Sequence, residues 1–577
     1  MHTIQSFKGY GKVDPVEEQA FRRKSCKRLI ILIISVLLLA IIIGAVVGTL
    51  IHNRNNSSNS TVQASNASQS ITTVCSHTLY PESCYNSITE INKSNSTDPV
   101  ELLKLSLHVV FNSLSELSSL PENLEKSTTN KTVKNALNVC ETVLNDAVDY
   151  LRDSIFSMDV KSGDKMLSST KIGDLKTWLS TAITNQETCL DALEEINSTF
   201  FAETKFRMQN STEYASNSLA IVSYIAGILG KLNIPVNRKL LAETGHDDYP
   251  EWVSPNVRRL LQDGRRPTPN VTVAADGTGD VKTIKEALEK VKEKSETMFV
   301  IYIKEGVYKE HIVLEKSFWN VMIYGDGKDK SIVSGDRNKV DKINTFDTAP
   351  FGVAGKGFVA IDMGFKNTAG AIKHQAVAFR SSSDFSVFYK CSFDAFQDTL
   401  YPHSNRQFYR DCDVIGTIDF IFGNAAVVLQ NCRIMPRQPL LNQFVTITAQ
   451  GKTDPNQNTG ISIQNCDISA FDNLTARTYL GRPWKNYSTT VIMQSTIGSF
   501  LNPLGWISWV QGVDPPTTIF YGEYKNTGPG ACVDNRVKWA GYKPSLNRND
   551  ASRFTVASFI QGQRWLPQTN ISFDSTL

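Results

Sequence analysis

The chain has 577 residues and a formal net charge of +3, with 20% charged and 41% hydrophobic residues. This length exceeds one ordinary domain, and the hydrophobic content is sufficient for buried cores. The near-neutral balance excludes a long polyelectrolyte tail and gives no general case for nucleic-acid binding. Ten cysteines in so long a chain also exclude a small disulfide-rich scaffold.

The first distinctive feature is an almost unbroken apolar run at residues 29–51. A helix of this length spans about 30 Å of hydrocarbon, and the basic cluster at the end of residues 1–28 should remain cytoplasmic. A cleaved signal peptide is the alternative, although its apolar core is shorter and lies closer to the start. We therefore predict a type II signal-anchor and export of the remaining chain. Frequent N-x-S/T sequons after residue 51 agree with export.

Two segments of different character follow the apolar run. Residues 52–70 are rich in Asn and Ser without an apolar period, which predicts a flexible stalk. Residues 71–235 have a helical period, and Asp98 followed by Pro99 indicates a helix start. Long helical patterns with short polar breaks predict an antiparallel bundle.

The cysteines of this helical region allow three pairings of four residues, Cys75, Cys84, Cys140 and Cys189. Pairing nearest neighbours would close an N-terminal hairpin and join two helices. Nine cysteines follow the predicted anchor, so at least one should remain a free thiol in an oxidising compartment.

Residues 236–263 form a predicted linker with two similar clusters, each of two basic residues followed by two leucines. The clusters are Arg238, Lys239, Leu240 and Leu241, and Arg258, Arg259, Leu260 and Leu261. A repeated dibasic site in an exposed linker predicts cleavage by a processing protease of the secretory pathway. Solvated linker charge is the alternative.

Residues 264–577 lose the helical period, and short β-branched or aromatic runs alternate with Gly, Asn and Asp. A strand–Cys–strand pattern recurs around Cys391, Cys412, Cys432 and Cys466, at steps of 21, 20 and 34 residues. Repetition at about 20 residues is typical of a solenoid, and the longer step leaves room for one inserted loop. We predict an all-β right-handed parallel β-helix, with an antiparallel sandwich as the alternative. Stacked coils would bring Cys412 and Cys432 close enough for a disulfide.

Two carboxylates lie in unusually apolar surroundings in this region. Asp419 precedes an Ile-Phe-containing strand, and Asp398 follows Gln397 beside aromatic residues. The two aspartates are 21 residues apart, so adjacent coils would bring them together. One should then be protonated and the other ionised. Gln375 lies a further coil before Gln397, and the two amides could stabilise an oxyanion in acyl transfer. A structural ladder of polar side chains is the alternative.

Arg482 and Trp484 follow a Gly turn and supply a cation and an aromatic ring. The arginine could orient Asp419 or pair with a uronate, and the tryptophan could stack on a sugar. The sequence contains no G-x-S-x-G, so the nucleophile elbow of α/β-hydrolases is missing, and it contains no H-E-x-x-H or Cys/His pair with zinc spacing.

Five motifs occur in order, at 306–310, 375–378, 397–400, 419–423 and 480–484. Together they resemble the signature set of plant pectin methylesterases, carbohydrate esterases built on a right-handed β-helix. Residues 71–235, with their four cysteines, resemble the invertase and pectin methylesterase inhibitor bundle. The chain is thus similar to membrane-anchored pro-enzymes whose inhibitor-like pro region is removed at the dibasic sites.

The resemblance implies a role for each matching position. Asp419 corresponds to the nucleophile, Asp398 to the acid and base, and Gln397 with Gln375 to the oxyanion donors. Arg482 corresponds to the residue that holds Asp419. Thr345, Trp484 and Tyr401 correspond to substrate contacts.

The same resemblance implies homogalacturonan as substrate, secretion of the mature enzyme to the cell wall, and a monomer after processing. It also implies that neither a metal nor a cofactor is needed. Separate inhibitor proteins are further candidate partners, and no nucleic acid is expected. Residues 264–577 contain 35 basic and 29 acidic residues, which favours attraction to a polyuronate. An inhibitor acting on other enzymes, and a pectate lyase or polygalacturonase, are the alternative functions.

The predicted organisation comprises six parts: a cytoplasmic tail (1–28), a signal-anchor (29–51), a stalk (52–70), an inhibitor-like bundle (71–235), a linker (236–263) and a β-helix domain (264–577).

Overall fold

The computed structural model describes residues 59–93, 95–158, 167–231 and 266–577. The predicted tail at 1–28, the predicted anchor at 29–51 and the linker at 236–263 with both dibasic sites lie outside these residues. Within the described ranges, no helix has both the length and the apolar character needed to cross a membrane.

The N-terminal half of the described chain is helical, as predicted. Its helices are α1 (Asn59–Cys75), α2 (Pro81–Ile91), α3 (Pro99–Leu117), α4 (Leu120–Lys126), α5 (Lys131–Met158), α6 (Ser169–Glu195) and α7 (Phe201–Lys231). The predicted start of α3 is correct, because the Asp98 side chain accepts a hydrogen bond from the backbone N–H of Val100 and Pro99 occupies the first turn. Every third or fourth residue of α3, including Leu103 and Leu107, is fully buried.

The predicted stalk is wrong for residues 59–70, which belong to α1. Asn and Ser obscured the apolar positions, but Ile71 and Val74 lie three apart on one face and are buried. These two residues lie in the C-terminal part of α1, where burial of one face stabilises a helix whose polar residues favour caps and turns.

Two disulfides join the predicted nearest-neighbour pairs in the bundle, Cys75–Cys84 and Cys140–Cys189. The second bond links α5 to α6, and Asn185 also donates a hydrogen bond to the carbonyl of Val143. From the first link to the second, the residue number increases on α5, from 140 to 143, and decreases on α6, from 189 to 185. The two helices are therefore antiparallel, as the bundle prediction requires.

The C-terminal half is a parallel β-helix in which strands from successive coils stack in register. All strand pairs in the described residues are parallel, which excludes the antiparallel sandwich. The first sheet contains β1 (Val271–Val273), β2 (Phe299–Ile303), β5 (Val321–Gly325), β8 (Val359–Ile361), β11 (Ser386–Tyr389), β14 (Arg406–Arg410), β17 (Ala426–Gln430), β20 (Gly460–Gln464), β23 (Thr489–Met493), β25 (Phe520–Tyr524) and β26 (Tyr542–Lys543).

Two further sheets complete the coils. The second contains β4 (Ile312–Leu314), β7 (Phe351–Val353), β10 (Phe379–Ser381), β13 (Leu400–Pro402), β16 (Ile421–Gly423), β19 (Val445–Gln450) and β22 (Thr478–Pro483). The third contains β3 (Gly306–Lys309), β6 (Ser331–Gly335), β9 (Gly364–Asn367), β12 (Ser392–Asp394), β15 (Asp413–Gly416), β18 (Arg433–Pro436), β21 (Asp467–Ile468) and β24 (Thr496–Ile497).

The interior of the β-helix is filled by stacked aliphatic and aromatic side chains. Phe365 stacks on Phe393 and Phe388 on Tyr409, with centroid distances of 5.5 and 4.4 Å. Short helices α8 (Ile284–Leu288), α9 (Arg548–Ser552) and α10 (Val556–Phe559) lie outside the coils. Identical positions in successive coils therefore form columns parallel to the axis.

One such column contains the thiols of Cys391, Cys412, Cys432 and Cys466. The four side chains stack as the spacing predicts, but the predicted Cys412–Cys432 disulfide is wrong, because both thiols are free in the structure. In-register parallel strands direct neighbouring Cβ bonds the same way, whereas a disulfide requires them to converge.

The 34-residue step between Cys432 and Cys466 contains two lengthened connections, and the single inserted loop that we predicted is incorrect. Residues 437–444 precede β19 and residues 451–459 follow it. Both connections extend outward from the coils, so the strands on either side retain their register.

Candidate active site

Asp398 and Asp419 occupy equivalent positions in adjacent coils, immediately before β13 and β16. Leu400 pairs with Ile421, and the backbone N–H of Asp398 donates to the carbonyl of Ile418 at 3.0 Å. Both aspartates have positive φ, 64° and 52°, a region that non-glycine residues seldom adopt. The register thus places the two carboxyl groups together, as their 21-residue spacing predicts.

Asp419 is held in the geometry of an ionised carboxylate. Arg482 Nε lies 2.8 Å from its Oδ1, and Arg482 Nη2 lies 2.5 Å from its Oδ2. Thr446 donates its hydroxyl to Oδ1 at 2.6 Å and accepts from the backbone N–H of Asp419 at 2.8 Å. Fork-like pairing with a guanidinium fixes both oxygens and favours the charged form.

Asp398 lies in the opposite electrostatic environment. Burial raises the pKa of its carboxyl well above the usual range, and the charges of Asp419 and Glu195 raise it further, although Arg482 and Lys339 oppose them. Burial and the neighbouring negative charges therefore favour the protonated form of Asp398, whereas Asp419 is paired with the Arg482 guanidinium. Two neighbouring acids with separated proton affinities are a feature of acid–base catalysis.

The remaining predicted side chains line the same cleft as the two aspartates, which has a volume of about 340 Å³. Gln375 and Gln397 form a parallel bridge, so their amides also stack in adjacent coils. The cleft brings together all eight predicted catalytic and substrate residues, Thr345, Gln375, Gln397, Asp398, Tyr401, Asp419, Arg482 and Trp484.

Sequence reasoning missed several parts of the cleft. Trp509 stacks on Trp484 at 6.3 Å and lies under the Arg482 guanidinium at 4.2 Å, but no motif surrounds it. Phe422 stacks on Tyr401 at 4.2 Å. Because Phe422 lies three residues after Asp419 in the same motif, the sequence could have indicated that it lines the cleft. Thr446 escaped notice because the lengthened connection at 437–444 places it 27 residues after Asp419, outside the regular step.

Helix α6 of the bundle covers this cleft. Glu195 accepts hydrogen bonds from the Thr345 hydroxyl at 2.5 Å and the Asn344 amide at 2.6 Å. Glu187 and Asp191 both approach Lys485 Nζ, at 2.6 and 2.7 Å. Acidic groups of the bundle thus occupy positions beside the two aspartates.

Two carboxyl groups and two amides that stack in adjacent coils and face one cleft supply the groups that hydrolysis of a carbohydrate ester requires. The family model Pectinesterase matches residues 270–563, and the model Plant invertase/pectin methylesterase inhibitor matches residues 69–221. The chain belongs to the pectinesterase family, and it is a pectin methylesterase with an inhibitor-like N-terminal domain.

Two curated relatives align with this chain over nearly its whole length. Pectinesterase 3 of Phaseolus vulgaris is 57% identical and is matched over 100% of both chains, and Pectinesterase 1 of Arabidopsis thaliana is 56% identical over 99% of both. The solved pectin methylesterase from carrot is 50% identical with a TM-score of 0.53, and the match covers 54% of this chain and 99% of the carrot chain. The carrot protein therefore forms this fold with a chain only about half as long as the present one.

Proposed function

We propose that the cleft removes the methyl ester of a galacturonate through a covalent intermediate on Asp419. Asp419 attacks the ester carbonyl carbon, and the amides of Gln397 and Gln375 donate to the oxyanion. Asp398 gives its proton to the methoxy oxygen as the C–O bond breaks, and methanol leaves. The observation that supports this assignment is the stacking of Asp419, which is paired with Arg482, on Asp398, whose carboxyl pKa is raised by burial.

In the second half-reaction Asp398, now ionised, removes a proton from water, and the resulting hydroxide attacks the galacturonyl–Asp419 anhydride. The galacturonate acid is released, and Asp419 returns to its carboxylate. Arg482 and Thr446 hold Asp419 in the attacking orientation throughout. We assign Thr345, Tyr401 and Trp484 to substrate contacts, since they surround the aspartates.

We further propose that the bundle keeps the precursor inactive until the linker at 236–263 is cut. The support is steric and electrostatic, because α6 lies over the cleft and Glu195 occupies the donors of Thr345 and Asn344. Cutting at the dibasic sites frees the bundle to dissociate. In this proposal the 29–51 segment anchors the precursor during secretion, and the mature monomer acts in the cell wall, where separate inhibitors can bind it.

Methanol release from methylesterified pectin tests the mechanism, with the processed chain as enzyme. Asp419→Asn should abolish release because the amide cannot attack the ester. Asp411→Asn is a matched control, because Asp411 also has positive φ, 55°, and lies in the coils but outside the cleft. Equal activity of Asp419→Asn and Asp411→Asn would contradict the assignment.

A further inference from the structure

Beside the cleft, α6 covers a set of neutral polar side chains that the esterase mechanism does not use. We call His403, Asn405, Asn424 and Asn458 the polar row. His403 and Asn424 hold equivalent positions in adjacent coils, since the N–H of Asn424 donates to the carbonyl of His403 at 3.1 Å. Adjacent coils are about 4.8 Å apart, so the row extends along the axis.

Every member of the polar row contacts a hydroxyl group of α6. His403 Nε2 lies 2.8 Å from the Thr188 hydroxyl, and the Asn424 amide donates to the Thr184 hydroxyl at 2.8 Å. Asn405 Oδ1 accepts from the Thr181 hydroxyl at 2.9 Å. Asn458 donates to the Thr177 hydroxyl at 3.0 Å and accepts from that of Ser180 at 3.1 Å.

Two members are fixed by bonds within the β-helix that leave one polar atom facing α6. His403 Nδ1 lies 2.9 Å from the Ser382 hydroxyl, which leaves Nε2 for Thr188. Asn424 Oδ1 accepts from Gln450 at 2.8 Å, which leaves its amide N–H groups free to point outward. In the precursor, where α6 covers the ring, burial lowers the pKa of His403 to about 3.

The polar row is continuous with the cleft. The His403 ring meets Phe346 and Tyr401 edge-on at 5.3 Å in each case, and both aromatic residues line the cleft. Thr188, the α6 partner of His403, lines the cleft as well. A polymer bound through the cleft can therefore reach the row once α6 has left.

We propose that the polar row is a binding site for sugar hydroxyl groups of the galacturonan chain, beyond the residue that is de-esterified. The Ser and Thr hydroxyls of α6 occupy this site in the precursor. A neutral row that accepts and donates single hydrogen bonds suits secondary alcohols and gives no counter-charge for carboxylates. This inference rests on the proposed function, because it assumes that the cleft holds the polymer and that α6 departs.

The test uses the full chain cut within residues 236–263 and freed of the bundle at high salt, with fully methylesterified galacturonate trimers and octamers as substrates. Two substitutions remove outward-facing polar atoms. His403→Asn keeps a group for Ser382 but lacks Nε2, and Asn458→Ala removes a side chain whose bonds in the described structure go to α6. Asn456→Ala is the matched control on the same loop, since the Asn456 side chain interacts with Asp454.

For the double variant, kcat/KM on octamers should fall about tenfold while kcat/KM on trimers stays within about twofold, because hydrogen bonds to the distal sugars are lost. Asn456→Ala should leave both values unchanged. Equal losses on trimers and octamers, or no loss on octamers, would overturn the proposal.

Two further results distinguish failure of the polar-row proposal from misfolding of the variant and from failure of the proposed esterase function. If the double variant does not fold, Asn458→Ala alone must still show a selective loss on octamers. If the unsubstituted processed enzyme releases no methanol, the proposed function fails. If the enzyme releases methanol but the substitutions affect trimers and octamers equally, only the polar-row proposal is wrong.

Discussion

The ion pair between Arg482 and Asp419 gives the sharpest prediction about catalysis. Their side chains are only 16% and 7% exposed, so water screens the pair weakly. At an effective dielectric constant near 20, unit charges about 4 Å apart attract by about 4 kcal/mol, and removing one partner of a buried pair costs about 3–5 kcal/mol. Arg482→Met keeps an unbranched side chain that fills the aliphatic part of the arginine site, and it removes the guanidinium with its charge and donors.

We expect Arg482→Met to lower kcat by about 10²–10³-fold, because Asp419 loses both its orientation and its counter-ion. Methanol release by the processed enzyme at saturating pectin, measured for the variant and the unsubstituted protein, provides both kcat values.

Arg410→Met is the matched control for this prediction. Arg410 is 10% exposed and pairs with Asp574 at 3.0 Å, outside the cleft. Its replacement should lower the melting temperature with little effect on kcat. If Arg482→Met kept the kcat of the unsubstituted enzyme and lost only stability, the reasoning about Asp419 would be refuted.

Four other expectations follow from the described contacts. Asp398→Asn should lower kcat at least about 10²-fold with little change in KM, because the amide resembles the protonated acid in shape but cannot protonate the leaving group. Steady-state kinetics measure kcat and KM separately. Burial raises the pKa of Asp191 to about 7, since Lys485 cannot neutralise both Asp191 and its neighbouring carboxylate. Binding of the bundle should therefore be strongest at low pH and weaken from about pH 4 to 7. In a binding titration after the linker is cut, Asp191→Asn should flatten this pH dependence. Cys140→Ser opens a 49-residue loop and should destabilise the bundle by about 4 kcal/mol in denaturant unfolding. Alkylation of the native protein followed by mass spectrometry should modify exposed Cys532 quickly and leave the four stacked thiols protected, whereas equal labelling would contradict their burial.

The repeat period allowed much of the β-helix and its site to be predicted. Steps of 20 to 22 residues placed Asp398 beside Asp419 and Gln375 beside Gln397, because parallel coils convert a sequence interval into a spatial contact. The same rule failed for Thr446, because a lengthened connection intervenes. It predicted the contact of Cys412 with its neighbours but not their free state, which depends on the direction of Cβ bonds.

Contacts between the bundle and the β-helix could not be predicted in this way. Glu195 and Thr345 are 150 residues apart, and no period relates them. Composition also misjudged residues 59–70, because their many polar residues do not show that they continue the helix whose C-terminal part buries Ile71 and Val74. Local patterns therefore identified elements and columns, whereas the docking of one domain on another required the structure.

The lengthened connections at 437–444 and 451–459 have a consequence for how such enzymes can diversify. Both leave the coils while β19 keeps its register with β16 and β22. Mutational insertions at these positions lengthen surface connections without repacking the interior, and Leu441, 90% exposed, shows how little the core constrains them. Loop length can thus vary between such enzymes while the strands keep the two aspartates in adjacent coils.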